Sequence, residues 1–319
     1  MDFSAAFQGL RVNQHRRQLW AVSAVAIALS VLGLVLSWLS PAVGAPLRPG
    51  LDFTGGTQIR IERRCQERCP DLSVNAIQSQ LLELRLAGQG DQPVPTLAGS
   101  LVQSLDGGRQ INLRLPSLAP EQSQTVIDAV LPLLGDTNPD GLSVDTIGPT
   151  LGSQLLRASL ISLLVSFIGI SAYITLRYDR LYAVLALLCL GHDVLITCGL
   201  FAWLGLLAGV EVNSLFAVAL LTIAGYSVND TVVIFDRIRE KRGSLQGMAL
   251  ADQADAAVEA TLARSLFTSF TTLLPLLGLI LFGGSTLFWF AVALSVGVIV
   301  GAWSSITIAP TLLPVLARR

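Results

Sequence analysis

Apolar residues gather into six long blocks, at roughly 19–39, 155–176, 181–206, 213–236, 264–283 and 287–309. Each is long enough for a helix to cross the hydrocarbon core of a bilayer, which takes about 20 residues. Between the first and second blocks the pattern changes. LDFTGGTQIRIE has strand character, with alternation beginning at Thr57, and SVNAIQSQLLELRLA has helical spacing behind a capping candidate, Ser73. LAGSLVQSL and RQINLRLPS flank DGG, a hairpin turn signal. APEQSQTVIDAVLPLL is helical with Pro120 in its first turn, and GLSVDTIGP is a last short strand. The order β-α-β-β-α-β predicts a ferredoxin-like domain. The predicted fold is a polytopic α-helical membrane protein of six transmembrane helices, with a ferredoxin-like α+β domain between spans one and two.

The positions of Lys and Arg orient this plan. Arg11, Arg16 and Arg17 precede the first block, and Arg177 and Arg180 separate the second from the third. Arg237, Arg239, Lys241 and Arg242 follow the fourth, and Arg318 and Arg319 end the sequence. The short loops 207–212 and 284–286 carry neither Lys nor Arg. Basic residues mark the cytoplasmic side, so both termini are expected there. The expected divisions are a cytoplasmic segment 1–18, span 19–39, an extracytoplasmic domain 40–153, a five-helix domain 154–316 with cytoplasmic loop 237–262, and a cytoplasmic end 317–319. The first span is read as an uncleaved anchor, because its apolar run exceeds that of a signal peptide.

Composition agrees: 52% of the 319 residues are hydrophobic, only 13% are charged, and mean hydropathy is +0.63. A net charge of −1 gives no reason to expect nucleic-acid binding. There is no Walker A motif, so ATP is not the direct energy source. No cofactor, metal site or catalytic group is expected, and the chain is not read as an enzyme. Cys189 and Cys198 lie in an apolar run and read as packing residues. Cys65 and Cys69 lie in RRCQERCPD. A disulfide between them is allowed in an oxidising compartment, and only across a turn. Whether they pair stays open at this point.

Polar residues inside the apolar blocks carry the candidate chemistry. Entering from the cytoplasm, Asp193 lies roughly 18 Å deep, with His192 beside it and Cys189 and Thr197 on its face. Asp230 lies roughly 9 Å deep, on a helix that also carries Asn213, Thr222, Tyr226 and Asn229. Arg264 opens the fifth block. If that helix begins a turn early, Arg264 reaches the depth of Asp230 and an ion pair becomes available; otherwise it snorkels to the headgroups. A carboxylate in mid-bilayer costs roughly 2.5–3.5 kcal/mol. Burial and a guanidinium partner act on its ionisation in opposite senses, which suits a group that changes protonation when the partner moves. Ser265, Thr268, Ser269, Thr271 and Thr272 extend the polar face, and Pro275 is expected to kink the helix. The alternative is that these groups only hold helices together. Gly297 and Gly301 read as close helix packing, and NDT at 229–231 lies inside a span and is no glycosylation site. An intramembrane aspartyl protease needs facing carboxylates and typically a Gly-x-Gly-Asp stretch. Here the chain reads LGHD, and the two aspartates differ in depth by roughly 9 Å.

Several longer runs share one likeness. GLDFTGGTQI at 50–59, GHDVLI at 191–196, AGYSVNDTVVIFDRIRE at 224–240 and RSLFTSFTTLLPLLGL at 264–279 resemble the landmarks of the SecD/SecF family of bacterial protein-export membrane proteins, in particular its SecF branch. The resemblance covers nearly the whole chain and implies a relation to resistance-nodulation-division transporters. It implies partnership with SecD, association with the SecYEG channel and YajC, and use of the proton-motive force on a translocating unfolded polypeptide. It also implies the plasma membrane, or an internal photosynthetic (thylakoid) one. By position, Asp230 and Arg264 match the family's residues tied to proton flow, and Asp193 matches an acidic position in span three. The expected proton relay is Asp230, Arg264, Asp193, Asn229 and His192. Asp52, Phe53, Thr54, Gly55 and Gly56 match the outer signature. The rival reading is half of a proton-driven small-molecule exporter of the resistance-nodulation-division type.

Overall fold

The computed structural model describes residues 11–317 except 66–68, 71, 89–93 and 246. Residues 1–10 and the basic pair Arg318 and Arg319, on which part of the orientation rests, lie outside it. The chain forms two compact units, Gly50–Ala158, and Met1–Pro49 with Ser159–Arg319.

The smaller unit holds one helical turn, α2 (Leu51–Thr54), then β1 (Gly56–Arg63), α3 (Val74–Glu83), β2 (Leu101–Leu105), β3 (Gln110–Leu115), α4 (Pro120–Leu134) and β4 (Thr137–Ile147). The sheet order is β2-β3-β1-β4, with every neighbour antiparallel, as a ferredoxin-like domain requires. Alternation in β1 turns Ile59 and Ile61 to one face, where they join Ile111 and Leu113 of β3 and meet Ile77, Leu81, Val126 and Val130 of the helices in one core. Ser73 caps α3 by accepting from the Ala76 N–H at 3.2 Å. The DGG turn joins β2 to β3 with Asp106, Gly107 and Gly108 all at positive φ.

Two details depart from the sequence pattern. LDFT makes a helical turn rather than the start of a strand. β4 begins at Thr137, ahead of the expected GLSVDTIGP run, and includes Pro139. Pro139 is tolerated since β4 is an edge strand with a register shift opposite Arg60 and Glu62. Cys65 and Cys69 do form a disulfide. Nearby, the buried Arg63 guanidinium donates to the carbonyls of Leu134, Gly108 and Pro70, at 2.8, 3.0 and 3.1 Å.

The larger unit holds α1 (Arg16–Leu39), most of α5 (Pro149–Arg177), α6 (Arg180–Ala208), α7 (Ser214–Ser244), α8 (Leu250–Phe282), α9 (Gly284–Thr307) and α10 (Ala309–Leu316). Six stretches among the described residues are long and apolar enough to span a membrane, the last made of α9 and α10 together. The presumed loop 237–262 is largely helical, because α7 runs on to Ser244 and α8 starts at Leu250. Pro275 lies within an uninterrupted α8.

Small residues let the helices approach. Gly199 of α6 lies against Ser30 of α1, and Gly33 against Trp203. The Trp203 indole donates to the Leu29 carbonyl at 2.9 Å. Gly297 of α9 lies against Ile223 of α7, and Gly301 one turn on lies against Ser227. Between α5 and α6, Tyr178 packs under the guanidinium groups of Arg177 and Arg239, 5.1 and 5.7 Å from its ring centre. Burial, and then the Asp236 carboxylate, push its hydroxyl up to about 12.

Candidate functional site

Two carboxylates lie inside the helical unit. Asp193 is fully buried at the meeting of α6, α7 and α9. Its Oδ2 accepts from Ser227 Oγ of α7 at 2.5 Å and from Ser304 Oγ of α9 at 2.8 Å. Its Oδ1 lies 2.8 Å from Nδ1 of His192. Cys189 and Thr197 share this buried face, as helical spacing predicts. Gly301 of α9 borders the cluster: a Cβ there would lie at ordinary contact distance, 3.4 Å from the Ser227 Cβ and 3.6 Å from Asp193 Oδ2.

Asp230 is buried on α7, and its Oδ2 has no hydrogen-bond partner among the described residues. Arg264 acts on it through charge. None of the ion pairs among the described residues joins the two, however. α8 does begin early enough to bring Arg264 near, but the side chain lies on the exposed face. The residue turned inward is its neighbour Ser265, fully buried with an unpartnered hydroxyl. One turn away, the Tyr226 hydroxyl of α7 donates to Ser269 Oγ of α8 at 3.2 Å. Counting back along the antiparallel helices from that bond sets Asp230 opposite Ser265. Two unsatisfied polar groups therefore sit at one level of one helix pair.

Other expected members are placed apart. Asn229 and Thr222 are exposed. Thr268, Thr271 and Thr272 bond to carbonyls of their own helix. Asn213 caps α7, accepting from the Phe216 N–H at 3.2 Å.

Asp52, Phe53 and Thr54 belong to the turn α2, and Gly55 and Gly56 continue it into β1 with φ of 68° and 121°. A Cβ on Gly55 would meet Pro149 Cα at 2.8 Å, and one on Gly56 would meet the Leu115 carbonyl oxygen at 2.6 Å. Only glycine combines those angles with that closeness. Thr54 Oγ1 accepts from Arg114 Nη2 at 2.5 Å. These residues therefore seat the start of β1 against the first turn of α5.

Sequence reasoning missed Ser227 and Ser304 as partners of Asp193, and Ser265 as the residue facing Asp230. For Ser304 the available signal was the adjacent polar pair at 304–305 within a span that carries no charge.

Residues 129–319 match the family model described as protein export membrane protein SecD/SecF, C-terminal, and residues 43–67 match the SecD/SecF GG motif. The chain is 50% identical over 302 residues to protein translocase subunit SecF of Prochlorococcus marinus, covering 95% of this chain and 94% of that one. It is 35% identical over 291 residues to protein translocase subunit SecDF of Brucella abortus, covering 91% of this chain but 36% of the longer one. The crystal structure of SecDF from Thermus thermophilus, a translocon-associated membrane protein, superposes with a TM-score of 0.78 at 29% identity, covering 97% of this chain and 39% of that one.

Proposed function

The chain belongs to the SecD/SecF family of protein-export membrane proteins, and on that premise we propose that it works with SecD as a proton-driven accessory subunit of the Sec translocase. It is a multi-pass membrane protein. In this reading it catalyses no covalent chemistry. It lets protons pass at Asp230 and Arg264, and the energy drawn from them pulls unfolded polypeptide onward from the SecYEG channel, with YajC in the same assembly. The termini face the cytoplasm and the ferredoxin-like domain lies outside. The bacterial plasma membrane is the expected location, and membrane fractionation separates it from an internal photosynthetic membrane.

The observation that carries this reading is the pair of unsatisfied groups, Asp230 Oδ2 and Ser265 Oγ, at one level beside Arg264. A buried polar atom without a partner is expensive as mere scaffolding, whereas a carboxylate that takes up and releases a proton needs an open position. Asn229 and Arg264, both exposed, also need a polar cover within a bilayer, where a charge facing lipid is costly. This sequence covers 36% and 39% of two longer SecDF relatives, which supports a SecD portion as that cover. The Cys65–Cys69 disulfide supports an oxidising, extracytoplasmic setting for the domain. One charge crossing 100 mV releases about 2.3 kcal/mol, more than the roughly 1.4 kcal/mol that shifts a two-state equilibrium tenfold.

The test is reconstitution with SecD and the channel in proteoliposomes under an imposed potential. Asp230→Asn is expected to assemble with SecD and to lose the potential-driven increase in export; an undiminished increase refutes the role. The exporter reading is set aside, since the relatives are named as translocase subunits. Copurification from native membranes checks that choice, because SecD should accompany the chain.

A further inference from the structure

Asp193 lies apart from the Asp230–Ser265 level, and its surroundings show a different design. Its own exposure is 0%, those of Ser227 and Ser304 are 1% and 0%, and that of His192 is 7%. Ser304 Oγ has two acceptors in reach, Asp193 Oδ2 at 2.8 Å and the Gly301 carbonyl at 3.1 Å. A hydroxyl carries one proton and serves one acceptor at a time. We propose that the Asp193 cluster is a second, sealed proton-binding site, in which rotation of the Ser304 hydroxyl keeps the carboxyl group hydrogen-bonded whether or not it holds a proton.

The proton balance closes in both forms. With Asp193 ionised, Ser227 and Ser304 donate to Oδ2 and the His192 Nδ1–H donates to Oδ1. When Oδ2 takes up a proton, its new O–H donates to Ser304 Oγ, and the Ser304 proton turns to the Gly301 carbonyl. The His192 and Ser227 bonds persist, and no heavy atom has to move. A cluster serving only as an adhesive between helices needs just the first arrangement. A second atom points the same way: His192 Nε2 is buried without a partner among the described residues, an unused proton-accepting position within the cluster.

The titratable groups facing Asp193 are His192 and Cys189 of its own helix. From α7 and α9 it meets the hydroxyls of Ser227 and Ser304. Ser227 lies three residues before Asp230, roughly 4.5 Å along α7, so a shift of α7 reaches both sites. The inference rests on the proton-driven reading above but concerns a different carboxyl group.

The experiment is infrared difference spectroscopy of the complex with SecD in lipid, titrated with pH, on wild type, Asp193→Asn, Ser304→Ala and Ser304→Thr. The expected result is a titrating carboxyl band that is lost in Asp193→Asn. Its midpoint should shift by about one pH unit in Ser304→Ala, because the hydroxyl's bond to the ionised carboxylate is stronger than its bond to the neutral acid, and return toward wild type in Ser304→Thr. The proposal is overturned if no titrating band disappears with Asp193→Asn, or if Ser304→Ala titrates as wild type does. Should Ser304→Ala fail to assemble with SecD, the Asp193→Asn comparison decides. Asp230→Asn keeps the two readings separable. If the Asp193 band persists while that variant exports normally, the role of Asp230 falls and the second site stands.

Discussion

Asp193 and Asp230 occupy neighbouring helices of one bundle, and their surroundings differ at every point. Asp193 is enclosed by partners from three helices, each oxygen engaged. Asp230 has an unsatisfied oxygen, an unsatisfied serine opposite, and a guanidinium that influences it from outside contact. The carboxylate of the first site finds its partners within this chain. The second is complete only when something else, SecD in our reading, closes over it. Burial alone therefore does not tell how an acidic group in a bilayer is used; the satisfaction of its hydrogen bonds does.

Substitutions can break or sharpen that contrast. The largest effect is expected from Asp230→Asn, which should abolish potential-driven export while leaving thermal unfolding of the detergent-solubilised protein unchanged. Arg264→Lys should follow, with a several-fold loss in the same export assay, since a lysine lacks the planar fork of donors; wild-type export would show that charge alone suffices. At the enclosed site the effect moves from activity to stability. Asp193→Ala strands Ser227 and His192 without their acceptor, while Ser304 keeps the Gly301 carbonyl, and should cost about 2–4 kcal/mol in denaturant unfolding. If Asp193→Ala costs nothing, the cluster is not the closed network described here. The smallest contrast lies in the α7–α9 seam. Gly297→Ala drives a Cβ into Ile223 and should cost about 1–3 kcal/mol. Gly301→Ala meets ordinary contact distances and should cost less than about 1 kcal/mol.

Much of this was legible in the sequence, and the parts that were not share a cause. Spans and sheet order follow from periodicity, which is a local property. Depth in the membrane follows from counting residues, and it set Arg264 near the level of Asp230. Counting fixes height along a helix but not direction around it, and a step of one residue turns about 100°, so Ser265 faces inward where Arg264 was expected. The partners of Asp193 were harder still. Ser227 and Ser304 lie 34 and 111 residues away, and a serine in an apolar run carries no mark of what it will meet. The start of β4 was hidden for the opposite reason: Pro139 carries a strong local signal against a strand, and an edge position with a register shift overrode it.

The seam between α1 and α6 bears on how the protein is made. The buried positions of α1 are Ser23, Ser30, Gly33 and Ser37, a face of small residues rather than oily ones. What covers that face is translated much later: the contacts from Trp203, Trp303 and Thr311 reach back across 174, 280 and 291 residues. Among the described helices α1 is made first, so it must wait in the bilayer for nearly all of the others. The Ser30 hydroxyl is satisfied meanwhile, since it donates to the carbonyl of Ala26, one turn back. A nascent chain halted before α6 would hold α1 as a lone anchor, and one halted before α10 would lack the last contact that pins it.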